Sequence, residues 1–274
     1  MHLRLRQMVR SRTTTTSPSL NIDLPVFVIN LRRDHTRWDF LREQVADLRI
    51  PLEHFQRVEA VDGSELVVTT GTHTNTYQST SVTVDVDVTF GTVERNIVAC
   101  TVSHIRAIHL AYDSASNYAV IAEDDVSWLL SPFWKTSLLQ LAEMLPQNQG
   151  ATITLFTSSQ MSHDGLCEIA QQWGTQAYII NREAMATVLT NVHKADGGFQ
   201  LMRSTQVDAV PADSFIYQLA GAMWSVSPTY IYPYNCTNGS TLHGSHDTLH
   251  MRQASRALCH AIHQLESRWL GVST

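Results

Sequence analysis

Lysine is nearly missing from this chain: Lys135 and Lys194 are its two lysines, and arginine carries almost all of the remaining positive charge. Positive charge is short overall, with a formal net charge of -6 and a pI near 6.1. That balance argues against a nucleic-acid binder working through a broad basic face. It leaves small anionic substrates open, because a local arginine cluster plus a metal can hold a diphosphate inside an acidic protein. Cysteine is sparse too. Cys100, Cys167, Cys236 and Cys259 lie far apart with no Cys-x-x-Cys pair, which reads as free thiols rather than a disulfide framework or a structural zinc site. No stretch approaches the ~18 consecutive apolar residues of a membrane span. The N-terminus lacks the apolar central region of a secretory signal. It carries Arg4, Arg6, Arg10 and Arg12 with no acid before Asp23, so residues 1–23 are expected to be a disordered basic arm on a cytoplasmic or otherwise soluble protein.

What remains is an ordinary globular composition, 43% hydrophobic and 16% charged over 274 residues. That is enough for one large α/β domain. The expected division is a single domain over 24–274, ending in an amphipathic helical tail from about residue 246. There is no internal repeat.

The hydrophobic pattern orders the elements. PVFVINL (Pro25–Leu31) is a short β-branched run bounded by proline and charge, the mark of a buried strand. Trp38, Leu41, Val45 and Leu48 follow at helical spacing, with Asp34 or Thr36 placed to cap the helix. FQRVEAV (Phe55–Val61) is a second strand closed by Asp62-Gly63. Strand, helix, strand makes a parallel crossover. Val67 to Phe90 is Thr/Val-rich and ends in strict alternation, which predicts a loop leading into an edge strand or hairpin. Helices are predicted over Ile97–Tyr112, Trp134–Met144 and Arg182–Val192, with strands at Ala151–Thr157 and Gln176–Ile180.

Two acidic spellings stand out. Asp85-Val86-Asp87 has a D-x-D form, but alternation with Val84 and Val88 puts both acids on the solvated face of a strand. The other is YAVIAEDDV, an apolar run from Tyr118 to Ala122 that stops abruptly at Glu123-Asp124-Asp125. In open α/β sheets, ligands bind at the carboxyl ends of strands. Three adjacent carboxylates there repel one another and call for a cation. Mg²⁺ or Mn²⁺ takes such oxygens, typically one or two carboxylates plus substrate phosphates. The i, i+2 spacing of Glu123 and Asp125 would point both the same way from an extended backbone, with Asp124 directed elsewhere, toward ribose hydroxyls.

Four separated stretches resemble glycosyltransferase family 25, the group of lipooligosaccharide and collagen galactosyltransferases. They are VFVINLRRDHTRWDFLREQ, RVEAVDGSEL, ACTVSHIRAI followed by YAVIAEDDV, and WGTQAYIINREAMATVL with VPADSF downstream. The resemblance spans about Pro25 to Phe215 and departs at Ala99, at Asn96-Ile97, in the Thr-rich segment 67–90 and after Pro233. It implies a GT-A-type, Rossmann-like fold, a mostly parallel sheet flanked by helices with an added edge hairpin. It implies inverting, metal-dependent transfer of a hexose, galactose or glucose, from a UDP-sugar to a hydroxyl of a glycan or glycoprotein. Glu123 and Asp125 would hold the metal. Asn30, Arg33, Arg37, Ser103, His104, Glu123 and Asp124 would bind the sugar nucleotide. Asp213 would be the general base, with Asp208 its local competitor. Cys100 reads as a small core residue and Trp173 with Gly174-Thr175 as core or sugar-facing wall; His243, His246 and His250 fit no zinc motif and read as a flexible polar segment, with an extra ligand to the metal as the alternative. The alternatives are a catalytically silent sugar-nucleotide-binding relative and a metal-dependent phosphoesterase or nucleotidyltransferase.

Overall fold

The computed structural model describes residues 21–156, 165–170, 174–227 and 230–233. The expected C-terminal helical tail, Trp173 and the three late histidines lie outside them, as do Cys236 and Cys259. Of the predicted N-terminal arm, residues 21–23 belong to the folded domain. Ile22 is fully buried, the carbonyl of Asn21 accepts from the Leu138 amide, and the Asp23 carboxylate accepts from the Leu139 amide.

Seven strands form the central sheet. They are β1 (Val26–Asn30), β2 (Phe55–Glu59), β6 (Tyr118–Glu123), β8 (Ala151–Thr154), β9 (Gly165–Glu168), β10 (Ala177–Asn181) and β12 (Ala222–Ser227), in the order β2-β1-β6-β10-β8-β12-β9. Five run one way; β10 and β9 run against them. The sheet is therefore mostly parallel, with one reversed strand at its centre. Burial on both faces explains the apolar runs. In β1, Val26 and Val28 join one apolar cluster and Phe27 and Ile29 the other. Strand β6 divides the same way, Val120 and Ala122 against Ala119 and Ile121, as side chains alternating along a pleated strand must.

Helices cover the two faces. On one lie α1 (His35–Leu48) and the short α3 (Leu138–Glu143); on the other lie α2 (Arg95–Asp113), α4 (Arg182–Val192) and α5 (Ala212–Ala220). Asp34 caps α1 by accepting from the Arg37 amide. Asn181 caps α4 through the Ala184 amide, which starts that helix where the sequence predicted. The helix predicted over Trp134–Met144 is shorter: a capping box between Ser137 and Gln140 starts α3 at Leu138, and Trp134 instead stacks on Tyr230.

The Thr/Val-rich segment corrects another expectation. It does form a hairpin, but not on an edge of the central sheet. Strands β3 (Val67–Thr69), β4 (Thr74–Gln78) and β5 (Thr83–Asp87) build a separate four-stranded sheet with β11 (Phe199–Leu201), which pairs parallel to β5. Its apolar residues, Tyr77, Val84, Val86, Phe199 and Leu201, belong to the same cluster as α2. Burying them there removes more apolar surface from water than an exposed edge position would. Two short strands, β7 (Val126–Ser127) and β13 (Tyr232–Pro233), pair below the end of β6.

Candidate active site

Strands β1, β2 and β6 are parallel neighbours and end at one edge. Asn30 pairs in register with Glu59, and Ile29 with Glu123. The acidic triplet thus sits at the carboxyl edge of the sheet, beside the turns after β1 and β2. A cleft of about 260 Å³ opens there. Arg33, Arg37, Asp62, His104, Glu123 and Asp124 are among the residues that line it.

The triplet does not continue the strand. Strand β6 stops at Glu123, and Asp124 and Asp125 form a turn. Strand alternation is therefore not what places Asp125, and each acid has its own surroundings. Glu123 accepts a hydrogen bond from Thr175 Oγ1 at 3.0 Å, and His104 Nε2 lies 3.5 Å from the same oxygen. Burial alone would raise this carboxyl, but His104, the Thr175 hydroxyl and the Arg37 charge hold it below its ordinary range. Asp124 is buried at 8% exposure, and both its oxygens are engaged: Arg37 Nη1 donates to one at 2.9 Å and Asn30 Nδ2 to the other. Burial outweighs these partners and raises its pKa. Asp125 has a buried oxygen, Oδ1, with no hydrogen-bond partner among the described residues. Burial first, then the charges of Glu123 and Asp124, push its pKa up to about 7.

The other candidates separate into those that face the cleft and those that hold its walls. Arg33 is the more exposed arginine, 58% at the side chain, and pairs with Asp62 across the turns after β1 and β2. Arg37 is mostly buried and grips Asp34 and Asp124. Its guanidinium orders the acids instead of standing free for a diphosphate. Asn30 likewise serves Asp124 and the Asp34 carbonyl through its amide nitrogen. Ser103 is committed: its hydroxyl donates to the Ala99 carbonyl at 2.7 Å and accepts from the Val61 amide at 2.8 Å. It ties α2 to the segment after β2. His104 is fully buried, its Nδ1 3.3 Å from the Tyr178 hydroxyl and its Nε2 facing Glu123. Cys100 is less buried than expected for a core residue and lines the cleft; burial raises its pKa well above the usual thiol value, so it stays protonated.

Asp213 lies in the first turn of α5, outside the lining of that cleft. Its Oδ2 accepts from the Gly174 amide at 3.0 Å and its Oδ1 from the Ser214 amide at 2.9 Å. Asp208, its local competitor, is exposed and hydrogen-bonded to Gln218. In the AVDG stretch, Gly63 is required by close approach: a Cβ there would lie 2.8 Å from Asn96 Cα at the start of α2.

A family model described as glycosyltransferase family 25 (LPS biosynthesis protein) matches residues 23–164, just over half of the 274 residues. The chain belongs to glycosyltransferase family 25. It is therefore a glycosyltransferase, with a sugar donor and a glycan acceptor as its substrates. No curated protein matches it. The match covers β1 to β8 and so includes the acidic triplet; Thr175, Tyr178 and Asp213 of this transferase lie beyond it. Among its described residues no helix is long and apolar enough to cross a membrane.

The donor set of this transferase suits a hard divalent cation held jointly with substrate. Among the described residues no group of three His, Cys, Asp or Glu side chains is gathered to hold a metal. The orphaned Asp125 oxygen beside Glu123 nevertheless fits an ion whose remaining ligands are phosphate and water. Thr175, weighed with Trp173 and Gly174 as sugar-facing wall or core, holds Glu123; two residues escaped the sequence reading, Tyr178 and Tyr217, which stand behind His104 and Gly174. Thr175 and Tyr178 lay in a matched stretch, in the Gly-Thr-x-x-Tyr pattern. Tyr217 lay just past one, and nothing in its spelling marks it.

Proposed function

We propose that this transferase has a GT-A-type fold and moves a hexose, galactose or glucose, from a UDP-sugar to a hydroxyl of a glycan, with inversion and with Mn²⁺ or Mg²⁺ bound. One observation carries the metal: the buried Asp125 oxygen, without a partner among the described residues, next to Glu123 at the carboxyl edge of parallel strands. A raised pKa on a crowded carboxylate means that it needs either a proton or a cation. Glu123 and Asp125 would hold the ion, and when bound it supplies charge neutralisation for the departing diphosphate.

The protein's own residues do the rest. Arg37 and Asn30 fix Asp124, which keeps the turn of the triplet in one shape. Arg33, at the mouth of the cleft, is the arginine free enough to leave Asp62 for a phosphate. Asp213 takes the proton of the acceptor hydroxyl. As it does so, the acceptor oxygen bonds to the anomeric carbon and the bond to the diphosphate breaks, the electron pair leaving with UDP. The two backbone amides on Asp213 orient its carboxylate for this. A two-metal phosphoesterase would need further acids around Glu123, whereas the family model describes a glycosyltransferase. The description of the family makes a lipopolysaccharide-type glycan the acceptor class we favour.

Incubation with UDP-sugars and Mn²⁺, scored by UDP release, tests the reading. Release from one donor, accelerated by a glycan acceptor, supports it. Tight donor binding without turnover would instead identify a silent sugar-nucleotide-binding relative.

A further inference from the structure

One turn of α5 reaches both backbone groups of a single glycine. Asp213 and Tyr217 are four residues apart on one helix face. Asp213 accepts from the Gly174 amide, and the Tyr217 hydroxyl donates to the Gly174 carbonyl at 3.1 Å. Gly174 has φ +91°, a left-handed conformation that suits glycine, and a Cβ there would strike the Gln176 side chain. The next residue, Thr175, is buried and donates to Glu123; Gln176 then accepts the Glu123 amide through its carbonyl at 2.8 Å. The Tyr217 ring also meets the Tyr178 ring edge-on at 5.5 Å, and Tyr178 contacts His104, which faces Glu123. Two physical routes thus run from α5 to one carboxylate.

We propose that Tyr217 is a positioning residue of this transferase: by clamping Gly174 it fixes Thr175, and through Thr175 it fixes the Glu123 carboxylate at the donor site. Tyr217 is almost fully buried and is not among the residues that line the cleft; its ring contact with Tyr178 does not need the hydroxyl, so the effect of the hydroxyl on transfer passes through Gly174. Burial keeps its hydroxyl protonated well beyond neutral pH, which makes it a steady donor. Asp213 occupies the other end of the clamp, so the base and the donor-side carboxylate are set in register by one helical turn. The proposal rests on the reading of Glu123 as a donor-site ligand.

Tyr217→Phe keeps the ring and removes the hydroxyl; Thr175→Val removes the next link. With the UDP-sugar that the wild type turns over, each variant should lose about tenfold in kcat while the donor KM stays within about twofold, the pattern of a group that matters in the transition state. The double variant should be no slower than Thr175→Val, because both act along one path. The ¹³C-methyl signal of Thr175 should shift or broaden in Tyr217→Phe, a readout that needs neither metal nor turnover. Full activity in Tyr217→Phe, losses that multiply in the double variant, or an unmoved Thr175 methyl signal would each overturn the clamp. A wild type that turns over no UDP-sugar sinks the donor-site reading instead, and the methyl signal then decides alone whether Tyr217 holds Thr175.

Discussion

The carboxylate clusters at the ends of β5 and β6 are neutralised in opposite ways. At the end of β5, Asp85 accepts from Lys194 at 2.8 Å and from the Thr76 hydroxyl at 2.7 Å, while Asp87 accepts from the Thr89 amide at 2.8 Å. Burial works against the charge of Asp85, but Lys194 and Thr76 hold its pKa below the ordinary value; the Thr89 amide does the same for Asp87. At the end of β6, Asp124 consumes Arg37 and Asn30, and Asp125 is left with an orphaned oxygen and a pKa near 7. The first cluster is finished within the protein. The second is short of positive charge, and that deficit is what a donor complex would fill. The D-x-D spelling belongs to the finished cluster, so spelling alone does not find the deficit.

The largest break in this comparison should come from Asp125→Asn. Transfer is expected to fall by about 10²- to 10³-fold, the scale for losing a group that stabilises charge on the leaving diphosphate. Unchanged UDP release would mean that the metal is held elsewhere. Arg37→Ala should come next. It leaves Asp124 buried without its strongest partner and is expected to cost about 3 kcal/mol of stability in urea unfolding; a loss under about 1 kcal/mol would show the pair to be dispensable.

The two clusters should also tilt stability with pH in opposite directions. Asp125 has a folded pKa raised to about 7 from an ordinary value of 3.8, so the folded state binds the proton more tightly than the unfolded one. Its contribution therefore declines as pH rises between about 4 and 7 in metal-free protein, and Asp125→Asn should flatten that decline in thermal melts. Asp85, with a lowered pKa, contributes above its unfolded value and loses the contribution as pH falls through its folded one. Asp85→Asn should consequently weaken the protein near neutrality by at most about 1 kcal/mol, since the Lys194 pair is partly solvated, and the difference should vanish in acid. The smallest effect is expected on transfer itself: Asp85→Asn and Asp87→Asn should stay within about twofold of wild type, as substitutions remote from the chemistry do. A large loss of UDP release in either would reopen the choice between the clusters.

How far the chain could be read in advance follows from the range of the interactions involved. Strands β1 and β6 are continuous apolar runs, and α4 begins at a local cap, Asn181; such signals are written in neighbouring residues. The small sheet was misplaced because β11, which completes it, lies more than a hundred residues beyond β5. The triplet itself was visible, but the side chains that hold each of its members were not. Asp124 was expected near the ribose; whether it faces a ligand or Arg37 depends on how α1 is rotated against β6, and no periodicity encodes that. Ser103 gave the same lesson, since its hydroxyl is spent on Ala99 and Val61. For Asp125 the turn after Glu123, not strand alternation, sets the direction.

The reversed strand at the centre of the sheet has one more consequence. Strand β6 is paired on one side by β1 and on the other by β10, whose residues lie beyond the part of the chain that matches the family model. A fragment ending at residue 164 would keep Glu123, Asp124 and Asp125 yet present β6 as an open edge of consecutive apolar residues. Such an edge is a template for pairing with another chain. Isolating the family-matched half should therefore yield aggregates, and the second half of the chain acts as a solubility shield for the first.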